Sequence, residues 1–402
     1  MNPNDYSTKA KDYLNTLCSV TPNRRVGSPG NRAATDFFAQ KVSSWGYLVD
    51  ATPFKCLDYQ SKEPSLTYKD RSFVVKISPY SLGCDAHAEL VVASTIYELE
   101  TCDCYSKILL LRGEICAEQL MPKNFVFYNP DHHKRIYTLL EEKQPTAIIT
   151  ATSKNPQMVG NIYPFPLIND GDFDIPSVYC TDIVGEEIAT KAGEKFKLKA
   201  DAKRIPTTAC NIIARKNPDA QKKITLCAHI DAIENSPGAS DNASGVVVEL
   251  LLAEMLKDYQ GKGGIEIIAF NGEDHYSLGG QMDYLRRYSD TFEQIFVAIN
   301  TDDVGYSKGN TAYSFYGCPE EIQQKANASF RKYTGILEGE QWYQGDHMIF
   351  AQIQKPTIAI TSDKVAELMA TITHSPKDTP EIIDCGKLVE LASALESLVK
   401  AF

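Results

Sequence analysis

Nowhere in the 402 residues is there an apolar run approaching the ~18 residues a membrane-spanning helix requires, so no membrane partner is expected. Positive charge is in short supply. The 41 Lys and Arg face 52 Asp and Glu, a formal net charge of −11, which argues against nucleic acid as a partner. No basic segment followed by an apolar core opens the chain, and the expectation is a cytoplasmic protein with no visible signal peptide. The 11 cysteines, an odd number, have no framework spacing, which suits free thiols in a reducing compartment. Internal repeats and low-complexity tracts are also lacking.

What remains is an ordinary globular composition, 43% hydrophobic and 23% charged, in a chain long enough for two domains. Its texture changes twice. Residues 5–18 and the stretch holding Ala34, Phe37, Phe38, Val42 and Trp45 carry helical spacing, separated by the turn-rich RVGSPGNR at 25–32, with Asn31 placed to cap the second helix. Tyr47 to Phe54 reads as a strand. From about residue 59 short strand-like runs take over, at Phe73–Ile77, Leu90–Ala93, Ile108–Leu111 and Ala147–Thr150. Near Arg204 the helix-and-strand texture returns. The expected organisation is therefore an α/β domain from residues 1–58 and 204–402, interrupted by an inserted module at 59–203.

The α/β part is organised around ITLCAHIDAIENSPGASDNASG, residues 224–245. An apolar strand delivers His229 and Asp231 to its C-terminal end, and a loop brings in Asp241 before an apolar helix. Two further strand-like runs behave alike. IEIIAF (265–270) ends in NGED, which places Glu273 and Asp274, and Ile295–Ile299 ends in NTDDVG, which places Asp302. A late loop, THSPKDT (373–379), supplies His374. In open α/β sheets the carboxyl ends of the strands are where sites form. Two imidazoles and several carboxylates at that edge suit a pair of zinc ions, with one acid left over for proton transfer. His132 and His133 are also adjacent to an acid, Asp131, but consecutive helical side chains diverge by about 100° and make a poor joint site.

In order, the motifs HID (229–231), GASDNASG (238–245), GED (272–274), NTDDVG (300–305), GDHMIF (345–350) and HSPKDT (374–379) resemble those of the co-catalytic zinc aminopeptidases, peptidase family M twenty-eight, which also includes glutamate carboxypeptidase relatives and glutaminyl cyclases. The resemblance covers about 20–58 and 204–402. It departs at Gly345, where the family has Ser, and at Asp274, where it usually has Glu. It implies a mixed, mostly parallel sheet flanked by helices, the zinc exopeptidase fold, and two zinc ions. His229 and Asp302 would hold one ion, Asp274 and His374 the other, with Asp241 as the bridge. Glu273 would be the general base acting on a metal-bound water, and Asp231 would orient His229. KILLLRGE (107–114), PTAIITA (145–151) and DIPSVYCTDIVGEEI (174–188) resemble a β-rich protease-associated domain.

The function so implied is removal of N-terminal residues from peptide substrates. A carboxypeptidase or a one-zinc glutaminyl cyclase of the same fold, and a non-catalytic binding protein retaining it, stand as alternatives that metal content and a peptidase assay separate. The oligomeric state is not written in the sequence.

Overall fold

A computed structural model describes residues 3–21 and 23–402. It divides into two compact units, one built from residues 1–56 and 207–402, the other from 57–206. The two connecting segments, Pro53–Ser61 and Ala202–Cys210, pair as a two-stranded ribbon, so the change of texture falls inside regular structure.

The discontinuous unit is built on an eight-stranded sheet in the order Leu48–Asp50, Ile212–Lys216, Gly264–Phe270, Lys223–His229, Ile295–Thr301, Thr357–Ser362, Thr311–Tyr316, Ile336–Glu338. Its middle is parallel: Lys223–His229 pairs with both Gly264–Phe270 and Ile295–Thr301, and the latter with Thr357–Ser362. Every residue of Lys223–His229 and Gly264–Phe270 is buried. Largely apolar, fully buried strands of this kind are what helices on both faces of a parallel sheet demand. Antiparallel partners flank the middle, giving a mixed α/β sheet.

The helix Ser244–Met255 is buried along all but its last residue. Valines and leucines cover its whole circumference because the sheet lies on one side and the helix Cys385–Ala401 on another. Each such side chain contributes roughly 1.5–3 kcal/mol through burial. The helix starts against a neighbouring strand: a Cβ on Gly245 would stand 2.4 Å from the carbonyl oxygen of Thr301, so only glycine fits there. This close approach brings the loop with Asp241 up to the strand that ends at Asp302.

Two local expectations are corrected. Tyr47–Phe54 is not one strand. The carboxylate of Asp50 accepts from the backbone N–H (3.0 Å) and hydroxyl (2.6 Å) of Thr52, a side-chain-closed turn that ends the first strand. The second helix, Pro29–Ser44, is capped by Ser28, whose hydroxyl accepts from the N–H of Asn31 at 3.1 Å, with Pro29 at the first helical position. Asn31 therefore lies inside the helix with its amide available elsewhere.

The inserted unit carries its own eight-stranded sheet, including the parallel run Cys84–Ala93, Ile108–Leu111, Ala147–Thr152, Ser177–Thr181. The helices Ile96–Thr101, Asp131–Lys143 and Asp182–Ala189 accompany it. Among the described residues, no helix is long and apolar enough to cross a membrane.

Candidate metal centre

The parallel strands put their carboxyl ends on one edge, and the predicted side chains gather there. His229 is the last residue of its strand, and Asp302 immediately follows Thr301, the last residue of another. Glu273 and Asp274 lie in the turn after Phe270, and His374 follows the helix Val365–Thr371. Asp241 reaches both imidazoles. Its Oδ1 is 3.0 Å from Nε2 of His229, and its Oδ2 is 3.1 Å from Nε2 of His374. Asp302 Oδ1 stands 3.6 Å from the same nitrogen of His229, and Asp274 Oδ1 2.7 Å from that of His374. The cluster has two lobes, His229 with Asp302 and His374 with Asp274, sharing one carboxylate.

The electrostatics describe a place built around positive charge. Burial opposes ionisation of Asp241, but the two imidazoles beside it outweigh this and hold it far below the usual carboxylate range. Burial likewise works against protonation of His229 and His374, yet the carboxylates around them, Asp302 and Asp241 for the first and Asp274 and Asp241 for the second, raise both well above an ordinary histidine. Glu273 is pushed well up, first by burial and then by the charges of Asp274 and Asp302. Clustered carboxylates repel one another unless a cation sits among them.

The donor set fits zinc. Nδ1 of His229 faces the backbone carbonyl of Asp231 at 3.3 Å, which places the proton on Nδ1 and leaves the Nε2 lone pair for a ligand. That Nε2 and Oδ1 of Asp302 are buried and lack any hydrogen-bond partner of adequate geometry. Buried polar atoms are seldom left so. One atom each of His229, Asp241 and Asp274 falls within 4.8 Å of the others, and imidazole with carboxylate is an ordinary zinc environment.

The carboxylate of Asp231 makes no hydrogen bond to His229. Its Oδ1 is 3.8 Å from the ring nitrogen, and the carboxylate instead accepts from three consecutive backbone groups, the N–H of Gly272 (2.6 Å), Glu273 (3.3 Å) and Asp274 (3.1 Å). It folds the acidic turn around itself. Asp378, buried in the last loop, does the same for the bridging residue, accepting from the N–H of Ser240 (2.6 Å) and Asp241 (3.1 Å). The sequence signal for Asp378 was its place in the HSPKDT motif, but nothing in the spacing revealed its partner.

Gly345 has a local reason. Its φ is +103°, and an added Cβ would lie 3.0 Å from Cη2 of Trp342 and 3.3 Å from Oδ2 of Asp302. The indole edge takes the space that a serine side chain would need. The ring nitrogen Nε2 of His347 donates to the carbonyl of Trp342 at 2.9 Å, and Nε2 of Gln281 donates to Asp346 at 2.8 Å. The second of these contacts ties the loop to the helix Gly279–Tyr288.

His132 and His133 do converge, contrary to the argument from helical divergence. Both Nε2 atoms approach Glu118 Oε1, at 2.8 and 3.2 Å. Helical divergence concerns Cβ directions, and a carboxylate from another segment can bridge the gap. Nδ1 of His133 accepts from the N–H of Met121 at 3.1 Å, so its proton sits on Nε2 and points at Glu118. That nitrogen is a donor, not a metal ligand.

Fold and site together define a mixed α/β protein with a two-lobed His and carboxylate centre. Residues 211–399 match the model of Peptidase family M28. It is similar to the Bacillus subtilis protein named Aminopeptidase YwaD, 28% identical over 245 residues, which are 58% of this chain and 53% of that one. It is also similar to the Mycobacterium tuberculosis protein named Probable lipoprotein aminopeptidase LpqL, 23% identical over 285 residues, 69% of this chain and 54% of that one. The chain thus spans about half the length of these relatives. Among solved structures, BSAP, a zinc aminopeptidase from Bacillus subtilis, superposes with a TM-score of 0.77 at 20% identity over 98% of this chain and 95% of its own. The aminopeptidase from Aneurinibacillus sp. strain AM-1 gives 0.74 at 23% identity, covering 98% and 93%. These likenesses establish the fold.

Proposed function

We propose that the protein is a zinc-dependent aminopeptidase that releases N-terminal residues from peptides. The observation that carries this reading is the single carboxylate of Asp241 divided between two imidazoles, each with its own aspartate. His229, Asp302 and one oxygen of Asp241 would hold one zinc, and His374, Asp274 and the other oxygen of Asp241 a second. Zinc bound there supplies Lewis acidity toward the scissile carbonyl and makes water a nucleophile near neutral pH. Glu273 accepts a proton from the attacking water and returns it to the leaving amine. Asp231 holds Glu273 through the turn it gathers.

The direction of cleavage follows from charge. A carboxypeptidase needs a cation, usually a bidentate arginine, for the substrate's terminal carboxylate. Arg286 and Arg287, which follow the acidic turn, are both engaged by Asp283 at 2.7 Å. Acids line the site, so a free α-ammonium group is the better guest. The names of the relatives YwaD and LpqL, both aminopeptidases, support the same reading. The test is a short peptide blocked at one end. N-acetylation should abolish cleavage and C-terminal amidation should leave it nearly unchanged; the opposite pattern would make the protein a carboxypeptidase.

A further inference from the structure

The RVGSPGNR stretch and the arginine before it lie outside the matched residues 211–399, and no step of the chemistry above uses them. Their side chains nevertheless reach both metal-site loops. Arg24 is 2% exposed. Its guanidinium donates from Nε to the carbonyl of Ile230 (3.0 Å), from Nη1 to Leu17 (2.9 Å) and Pro237 (2.7 Å), and from Nη2 to Gly238 (2.7 Å). Three of those four carbonyls belong to the loop between His229 and Asp241. A planar fork with several donors is the side chain suited to this, and each bond is strengthened by the buried charge.

Asn31 does the equivalent for the acidic turn. Its amide and that of Asn271 exchange two hydrogen bonds, at 2.8 and 2.9 Å, and both residues are fully buried. Asn271 immediately precedes Gly272, whose N–H binds Asp231. The two anchors are joined to each other, since Nδ2 of Asn31 also donates to the carbonyl of Arg24 at 3.0 Å.

We infer that Arg24 and Asn31 form a clasp that positions the metal-site loops: Arg24 fixes the loop leading to the bridging Asp241, and Asn31 fixes the root of the turn bearing Glu273 and Asp274. The inference rests on the reading of the centre as a zinc site. Both are positioning residues that touch neither metal nor substrate. Outer contacts of this kind typically alter metal affinity roughly 10–100-fold when removed. Arg24→Lys keeps the charge but cannot span four carbonyls, so it isolates the geometry of the fork.

The experiment compares the full-length protein with Arg24→Lys and Asn31→Ala by zinc affinity from chelator competition, by the visible spectrum of the Co²⁺-loaded protein, and by thermal unfolding of the metal-free form. The clasp predicts roughly 10–100-fold weaker zinc binding and an altered Co²⁺ spectrum in folded variants. Arg24→Lys should weaken both ions, because it acts through the shared Asp241; Asn31→Ala should weaken mainly the one beside Asp274. A purely structural role would lower the unfolding temperature alone, and unchanged zinc affinity and spectrum in a folded variant would overturn the clasp. If Arg24→Lys does not fold, Asn31→Ala decides by the same two readouts. A wild-type protein that binds no zinc would instead refute the functional reading itself.

Discussion

Replacing Glu249 with glutamine should make the protein increasingly more stable than wild type as pH rises. Glu249 lies on the buried helix Ser244–Met255 with no exposed surface. One carboxyl oxygen faces the hydroxyl of Thr301 at 3.4 Å, and the other has no partner. Burial pushes the carboxyl from 4.5 up to about 8. Below the lower value both folded and unfolded chains carry the proton, and the group has no effect on stability. Between the two values only the folded chain keeps it, so stability falls by about 1.4 kcal/mol per pH unit. Above the upper value both are ionised and the full penalty stands. Glutamine has the same shape, still accepts from Thr301, and never ionises. Urea unfolding of the metal-free protein removes the protonation of zinc ligands from the comparison. From about pH 5.5 to about pH 8 the stability difference between variant and wild type should widen by roughly 3 kcal/mol in favour of glutamine. A difference that does not change with pH would show that Glu249 is ionised in the folded state, and the reasoning about its burial would fail.

Other consequences concern the centre. Glu273→Gln should lower kcat roughly 10²–10⁴-fold while zinc content stays at the wild-type level; loss of zinc, or retention of most of the kcat, would remove Glu273 from the role of base. Asp241→Ala should lose more zinc per chain than His229→Ala or His374→Ala, because its two oxygens face both imidazoles. Equal losses in all three variants, by elemental analysis, would argue against a shared carboxylate.

Much of this was legible in the chain because three of its apolar runs end in ligand-type residues. His229 ends one strand, and the Glu273–Asp274 pair and Asp302 follow two others; all three are buried but for Phe296, and a parallel sheet must bring such ends together. Backbone-directed contacts were not legible. The carboxylate of Asp231 binds three N–H groups of a turn some forty positions away, and any residue can supply an N–H, so no side-chain pattern marks it. Arg24 is hidden for the same reason, since its acceptors are carbonyls. The place of Asn31 was misjudged because both it and Ser28 are good caps. Pro29 settles the matter by requiring the helix to begin directly after Ser28. Glu118 escaped notice because its link to His132 and His133 depends on a carboxylate outside their helix.

The central claim is that one carboxylate joins two metal-binding lobes, and zinc stoichiometry tests it most directly. Protein purified without chelator and equilibrated with a small excess of zinc, then desalted, should retain about two ions per chain, in keeping with a centre in which two sites share one ligand. About one ion would leave only one lobe as a site, and none would contradict the account.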